Sequence, residues 1–303
     1  MKKKTAAALI AALAIVLAAA GIMYYNSTLA GLLRRMARNL DKVRSVEAEV
    51  NVDYEGSVSV NVLGMPIVAP FMLGTDLDVK AVKQPAASHI EGTVSGSVYG
   101  VSMDTPVECY TQEEEGENTV YMSSDRVHWV RHKSKDAGSE ESSLPELDGK
   151  AVLGLIKKIM SGEIELKRAE ETETICGREA YKIDVEISGE LLQQILEIIQ
   201  SSGNAADIPE NLDLSDAGTK CELYIYKKEK LPARITVNCA PLGNAVIQSL
   251  LEDRDYAGAT DKFTLTVTFP QYNTIDRIEI PEEVVSGAVE SNESPLGSLI
   301  PGL

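Results

Sequence analysis

Val46-Glu47-Ala48-Glu49-Val50-Asn51-Val52-Asp53-Tyr54-Glu55-Gly56-Ser57-Val58-Ser59-Val60-Asn61-Val62 is the stretch that decides the fold. Its even positions are apolar or glycine and its odd positions are polar, which predicts a strand with one buried and one wet face. At about 3.3 Å per residue it would run roughly 55 Å if straight. A domain of this size is only roughly 50 Å across. The strand therefore has to bend, and Gly56 is the natural place. A long sheet with one apolar face needs a cover, and what covers it is the functional question.

Downstream the alternation continues. Leu77, Val79 and Ala81 alternate with Asp76, Asp78 and Lys80, and Ile90, Gly92, Val94, Gly96 and Val98 form another apolar series. Shorter strands are predicted at Val107–Glu113, Asn118–Ser123 and Val127–Lys133, giving an antiparallel meander. Upstream, Leu29, Leu32, Leu33, Met36, Leu40 and Val43 recur at helical spacing. That helix, within 26–43, either lies on the sheet or forms a stalk beside a membrane. Further helices are predicted at 145–160, 189–200 and 241–251. They alternate with hairpins, one about Cys176-Gly177-Arg178 with Tyr181, Ile183, Val185 and Ile187 facing inward, one between Cys221 and Cys239. A last strand carries Phe263, Leu265, Val267 and Phe269, and Pro281-Glu282-Glu283 opens a short final helix.

The chain of 303 residues is long enough for one large domain or two small ones. Its 29 basic and 46 acidic residues leave a net charge of −17. Lys2, Lys3 and Lys4 stand at the very start, so the remainder is more acidic still. This argues against nucleic acid, or an anionic lipid surface, as the main partner of the folded part. Thr5 to Tyr24 is uncharged and mostly aliphatic, and as a helix it would rise about 30 Å, enough to cross a bilayer core. Residues 1–25 read as a signal peptide cleaved after Ala18-Ala19-Ala20 or as a retained anchor, with retention favoured.

Signals for chemistry are thin. There is no Walker A loop, no G-x-S-x-G elbow and no H-E-x-x-H helix, so no enzyme and no cofactor is predicted. His128 and His132 stand about 13 Å apart along one predicted strand, too far for one metal. With His89 they read as surface histidines, and no metal site is predicted. Cys109, Cys176, Cys221 and Cys239 include no CxxC pair, which speaks against zinc. Folding the hairpin between Cys221 and Cys239 about Glu229 and Lys230 places the two cysteines opposite each other, near disulfide distance, and leaves Cys109 for Cys176. Free buried thiols are the alternative. The run Met65-Pro66-Ile67-Val68-Ala69-Pro70-Phe71-Met72-Leu73 is uncharged, bracketed by Gly64 and Gly74, and reads as a loop joining two long strands. Met65, Ile67, Val68, Phe71, Met72 and Leu73 are its candidate ligand or lid residues. Such a loop tucks into the core, dips toward a membrane or lines the mouth of a cavity.

Four short pieces carry a resemblance: Asn39-Leu40-Asp41-Lys42-Val43-Arg44-Ser45-Val46 ahead of the long strand, Val120-Tyr121-Met122 with Val127-His128-Trp129-Val130, Gly177-Arg178-Glu179-Ala180-Tyr181-Lys182-Ile183, and Ile278-Glu279-Ile280-Pro281-Glu282-Glu283-Val284. Together they resemble the LolA/LppX-like superfamily of bacterial envelope proteins, especially lipoprotein-like members from Gram-positive bacteria. The chain departs from that pattern in having no cysteine before Cys109 to lipidate. The resemblance implies an α+β fold, a strongly curved antiparallel sheet (an incomplete barrel) with amphipathic helices on its concave face, over residues 44–288. Residues 289–303 would form a tail. It also implies a non-enzymatic, membrane-tethered, extracytoplasmic domain that binds a lipid, an acyl chain or another apolar ligand. The chain would sit at the bacterial cell membrane, or be secreted if the N-terminal segment is cleaved. The alternative is a ligand-free interaction or sensory module with an envelope protein partner.

Overall fold

The computed structural model describes residues 29–62, 65–114, 117–134, 165–193, 212–251 and 256–291. The expected membrane segment and the helix expected at 145–160 lie outside them. Among the described residues no helix is long and apolar enough to cross a membrane.

Helix α1 (Leu29–Leu40) leads into β1 (Ser45–Val62), which takes up the whole alternating stretch. Then come β2 (Met65–Lys83), β3 (Ala86–Val98), β4 (Val101–Glu114), β5 (Glu117–Ser123) and β6 (Val130–Ser134). The second half holds β7 (Glu165–Ile175), β8 (Arg178–Ile187), β9 (Thr219–Tyr226), β10 (Pro232–Asn238), helix α2 (Ala240–Leu251), β11 (Tyr256–Tyr272), helix α3 (Glu282–Gly287) and β12 (Val289–Glu290). All twelve strands join one open sheet in the order β12-β6-β5-β4-β3-β2-β1-β11-β10-β9-β8-β7. The pairs are antiparallel except β12 with β6. The protein is thus mostly β.

β1 is the hinge of the sheet. On one side it pairs with β2 without a register break, Val46 opposite Ala81 and Val62 opposite Met65. On the other it pairs with β11, and the register shifts between Glu55 and Gly56. The expected irregularity at Gly56 is there for a steric reason. A Cβ on Gly56 would lie 2.7 Å from the Ala259 carbonyl oxygen and 2.9 Å from the Phe71 ring.

The even face of β1 faces the main core. Val50 and Val52 pack with Leu32 and Met36 of α1, Ile183, Val185 and Ile187 of β8, Leu223 and Ile225 of β9, and Leu242 of α2. The helix within 26–43 therefore lies on the sheet, through the apolar stripe its spacing predicts. Of the helix expected at 189–200, residues 189–193 are described and helical, and Leu191 and Leu192 are buried in this core. α2 sits close to β11 at Gly258, where a Cβ would meet Ile247 Cγ2 at 2.2 Å. β10 pairs with β11 only as far as Asn238 opposite Thr264. Beyond that the Asn244 side chain stands in for the missing strand: its Oδ1 accepts from Thr260 N at 2.7 Å and its Nδ2 donates to Thr260 O at 3.3 Å.

Two smaller clusters occupy the other face. Ile175, Ala180, Tyr224, Tyr226 and Ala233 pack with Tyr272, and the Arg178 guanidinium lies 3.6 Å from the centre of the Tyr226 ring. On β4 to β6, Tyr110, Tyr121 and Trp129 are covered by Val284 of α3 with Ile278 and Ile280.

Candidate apolar ligand face

The run 65–73 is strand, not loop. It forms the start of β2, every residue from Met65 to Leu73 lying opposite a residue of β1. Strand periodicity then divides the six candidate residues between two faces. Met65, Ile67, Phe71 and Leu73 stand opposite Val62, Val60, Gly56 and Tyr54, on the core face of β1, called the inner face here. Val68 and Met72 stand opposite Ser59 and Glu55, on the outer face.

Register carries the inner face on into the next hairpin. Thr75 is opposite Val94, Leu73 opposite Gly96 and Phe71 opposite Val98. Val98 is opposite Val101, and Gly96 opposite Met103. Met65, Ile67, Leu73, Val94, Val98, Val101 and Met103 therefore share one face of three adjacent strands. All are exposed, Val101 to 76% and Met103 to 67%. Val94, Val98, Val101 and Met103 are the site residues that the sequence reading missed. The signal for them was the absence of any Asp, Glu, Lys, Arg or His from Thr93 to Met103.

A row of aromatic rings marks where this open face meets the covered one. Phe71 packs edge-on against Tyr54, centroids 5.3 Å apart, and Tyr54 lies 4.9 Å from Phe263. Burial raises the Tyr54 pKa against the opposing hydrogen bond with Thr260 Oγ1, 3.3 Å away. The open apolar strip thus ends on a neutral phenol.

Polar side chains gather at the opposite end of the same strands. On the outer face His89 Nε2 shares a hydrogen bond with Glu108 Oε1 at 3.1 Å, and the Tyr110 hydroxyl donates to the same oxygen at 2.8 Å. His89, Glu91 and Glu108 each offer one donor atom, the three lying within 4.8 Å of one another, a set that could hold a cation. Protein cations already stand beside the carboxylates, Lys80 3.9 Å from Glu91 and Arg126 4.0 Å from Glu108. The outcome for the histidines differs from expectation. His89 is half-buried against Tyr110, with stacked centroids 4.3 Å apart, and His132 is buried on the inner face of β6, opposite Val120. Only His128 is a surface residue, bonded to Asp125 at 2.5 Å. Val127 and His128 precede β6 instead of belonging to it, because the Asp125 carboxylate accepts from both their backbone N–H groups and closes a turn.

The cysteines are free thiols in the structure. Cys221 lies opposite Val237, not Cys239. A register break between Pro232 and Arg234 and a turn closed by Lys230 N to Tyr226 O at 3.0 Å accompany this pairing, which puts the partner of Cys221 two residues from the expected one. Cys109 on β4 and Cys176 in the β7–β8 turn are separated by six strands in the sheet order, β3, β2, β1, β11, β10 and β9. Burial pushes the Cys109 and Cys239 thiols up to about 11 and Cys221 up to about 12. That direction disarms a nucleophile.

No family model matches the chain, and no curated protein matches it. Solved structures do. The lipoprotein LppX of Mycobacterium tuberculosis aligns over 82% of this chain and 97% of its own, at 13% identity and a TM-score of 0.39. LprF from Mycobacterium bovis aligns over 83% and 95%, at 14% identity and the same TM-score of 0.39. A putative outer membrane lipoprotein-sorting protein domain from Vibrio parahaemolyticus covers 84% and 95%, at 8% identity and a TM-score of 0.17. Each is a structure that this chain is similar to. At such identities and scores they say nothing of what this chain binds.

Proposed function

We propose that this chain is a non-enzymatic, extracytoplasmic, membrane-tethered protein that binds a lipid or another apolar molecule on the inner face of β2 to β4. One observation carries the reading. The inner face that is buried under α1 and α2 near β8 to β11 continues across β1 into a strip of exposed valine, isoleucine, leucine and methionine. Exposed apolar side chains scattered singly are ordinary, but a contiguous strip across three strands marks a binding surface. Methionine at two of its corners, Met65 and Met103, gives the strip adaptable side chains suited to a flexible ligand. Burying one methylene is worth about 0.8 kcal/mol, so ten methylenes of an acyl chain supply ~8 kcal/mol before ordering costs. Tethering would come from the uncharged segment 5–24.

The test uses the chain from residue 26 onward, which keeps α1 in place. Purified without detergent from a bacterial host, it should carry lipid when weighed by native mass spectrometry. Ile67→Asp with Val98→Asp, both at half-exposed sites, should come out bare while melting as the parent does. A bare parent chain that also fails to bind fluorescent fatty acids would overturn the reading, and would favour a ligand-free interaction module.

A further inference from the structure

We propose that the free ends of β2, β3 and β4 form a wedge that enters one leaflet of a lipid bilayer with electrically neutral headgroups. This reading does not require the inner face to hold a ligand, because it rests on both faces of β2 being apolar, on the β3–β4 turn and on the strand edge.

Charge comes first. No Asp, Glu, Lys, Arg or His occurs from Gly56 to Thr75 or from Thr93 to Met103, in a chain with 46 acidic and 29 basic residues. Register brings these two runs together at one end of the sheet, Phe71 beside Val98 and Val98 beside Val101. From Met72 to Met65 the uncharged strand rises about 23 Å, against about 15 Å of hydrocarbon in one leaflet.

The second observation is that β2 is apolar on both faces, while the outer face of its neighbours here carries only uncharged serine and asparagine, Ser57, Ser59, Asn61, Ser95, Ser97 and Ser102. The outward residues of β2 are Pro66, Val68, Pro70 and Met72, all four exposed. The inward ones include Met65, Ile67 and Leu73, exposed as well. A ligand in the sheet or a protein docked on it would cover one face. A hydrocarbon solvent surrounds both. Tyr99 projects from the β3–β4 turn, 61% exposed, a ring of the kind that settles at a membrane interface.

The strand edge supplies the third. β3 begins pairing with β2 at Phe71, so the β3-facing edge of β2 is bare from Met65 to Ala69. Tyr99 N donates to Pro70 O at 3.3 Å, which shows that residue 70 points its backbone groups toward β3. By period two, residues 66 and 68 point the same way. Of the two that lie in the bare stretch, position 66 is proline, which has no N–H to leave unsatisfied, and Val68 keeps the one edge-facing donor there. An unpaired donor costs several kcal/mol in hydrocarbon, and the second proline, Pro70, stands where pairing with β3 ends. Above the wedge, Asp53, Glu55, Asp76, Asp104 and Asp261 lie at its upper rim, with Lys262 bound to Asp53 and, at 3.7 Å, to Glu55. A mainly acidic rim at headgroup level disfavours anionic lipid and permits a zwitterionic one.

The test is depth-dependent quenching in the full chain, reconstituted into phosphatidylcholine vesicles brominated along the acyl chains. Trp129, the chain's one tryptophan, is the internal baseline. Val68→Trp, Ile67→Trp and Tyr99→Trp each add one reporter at an exposed site. The wedge requires Val68→Trp and Tyr99→Trp to lose intensity in brominated relative to plain vesicles, with the Trp129 signal of the parent unchanged. Adding phosphatidylglycerol should weaken that loss. Quenching of Ile67→Trp without Val68→Trp would mean a lipid cradled on the inner face only. It would overturn the wedge and leave the ligand reading standing. No quenching at either position would overturn the wedge outright. Far-UV circular dichroism of each variant confirms that the sheet is intact.

Discussion

On the β11 side of β1 the inner face lies beneath α1 and α2, and Ile183 and Ile225 are wholly shut off from solvent. On the β2 side the same face, continued by unbroken register, leaves Met65, Val98, Val101 and Met103 in the open. The side chains are chemically alike on the two sides. What differs is cover, and cover decides whether an apolar residue contributes to the stability of the fold or stays available to something else.

The largest contrast should appear in thiol reactivity. Exposed Cys176 should take a maleimide at once, whereas buried Cys221 and Cys239 should react only as fast as the covered side opens, orders of magnitude more slowly. Intact-mass labelling over time reads this directly. Failure of both buried cysteines to label even in denaturant without reductant would mean that they are linked. Next in size, Ile183→Ala should cost about 3–4 kcal/mol by urea unfolding, because the cavity forms in a core with no room to collapse. Gly56→Val comes third at about 2 kcal/mol, since its Cβ would strike the backbone of β11 and the Phe71 ring.

A smaller effect concerns the outer face of the covered side. Burial opposes ionisation of Glu222, but hydrogen bonds from Lys182 at 2.6 Å and Tyr224 at 2.9 Å outweigh it and hold its pKa below the ordinary 4.5. A carboxylate with a lowered folded-state pKa stabilises above its unfolded value and loses that contribution as pH falls through the folded one. Glu222→Gln should therefore be less stable at pH 7 by about 0.5–1 kcal/mol, its partial exposure screening the pair. The gap should close as the pH drops through the carboxylate range. Smallest of all, Val101→Ala should change stability by less than about 0.5 kcal/mol. A loss near that of Ile183→Ala would show that the open side is covered after all and would break the comparison.

The covered side was the more legible in sequence. The alternation from Val46 to Val62 and the inward set Ile183, Val185 and Ile187 follow from period two, because one face is polar and the contrast shows. The open side hid itself for the same physical reason. From Pro66 to Met72 both faces of β2 are apolar, so no alternation remains, and Pro66 and Pro70 imitate loop punctuation although they sit on a strand with a bare edge. The burial of His132 had no local signature, since it depends on β6 pairing with β5. The register of the Cys221 hairpin turned on one extra residue between Pro232 and Arg234, a bulge that spacing alone does not reveal.

The pairing of β1 with β11 also sets a timetable. Arg44 and Asn273, 229 residues apart, are bonded through the Arg44 N–H and the Asn273 side chain at 2.7 Å. A chain emerging from the ribosome can zip β1 onto β2 and build the meander at once, since those partners are neighbours. The other edge of β1 then waits, a long row of unpaired donors and acceptors, until β11 arrives about 200 residues later. Through that interval the molecule is a half-sheet with an open flank, which has to be guarded from pairing with a stranger.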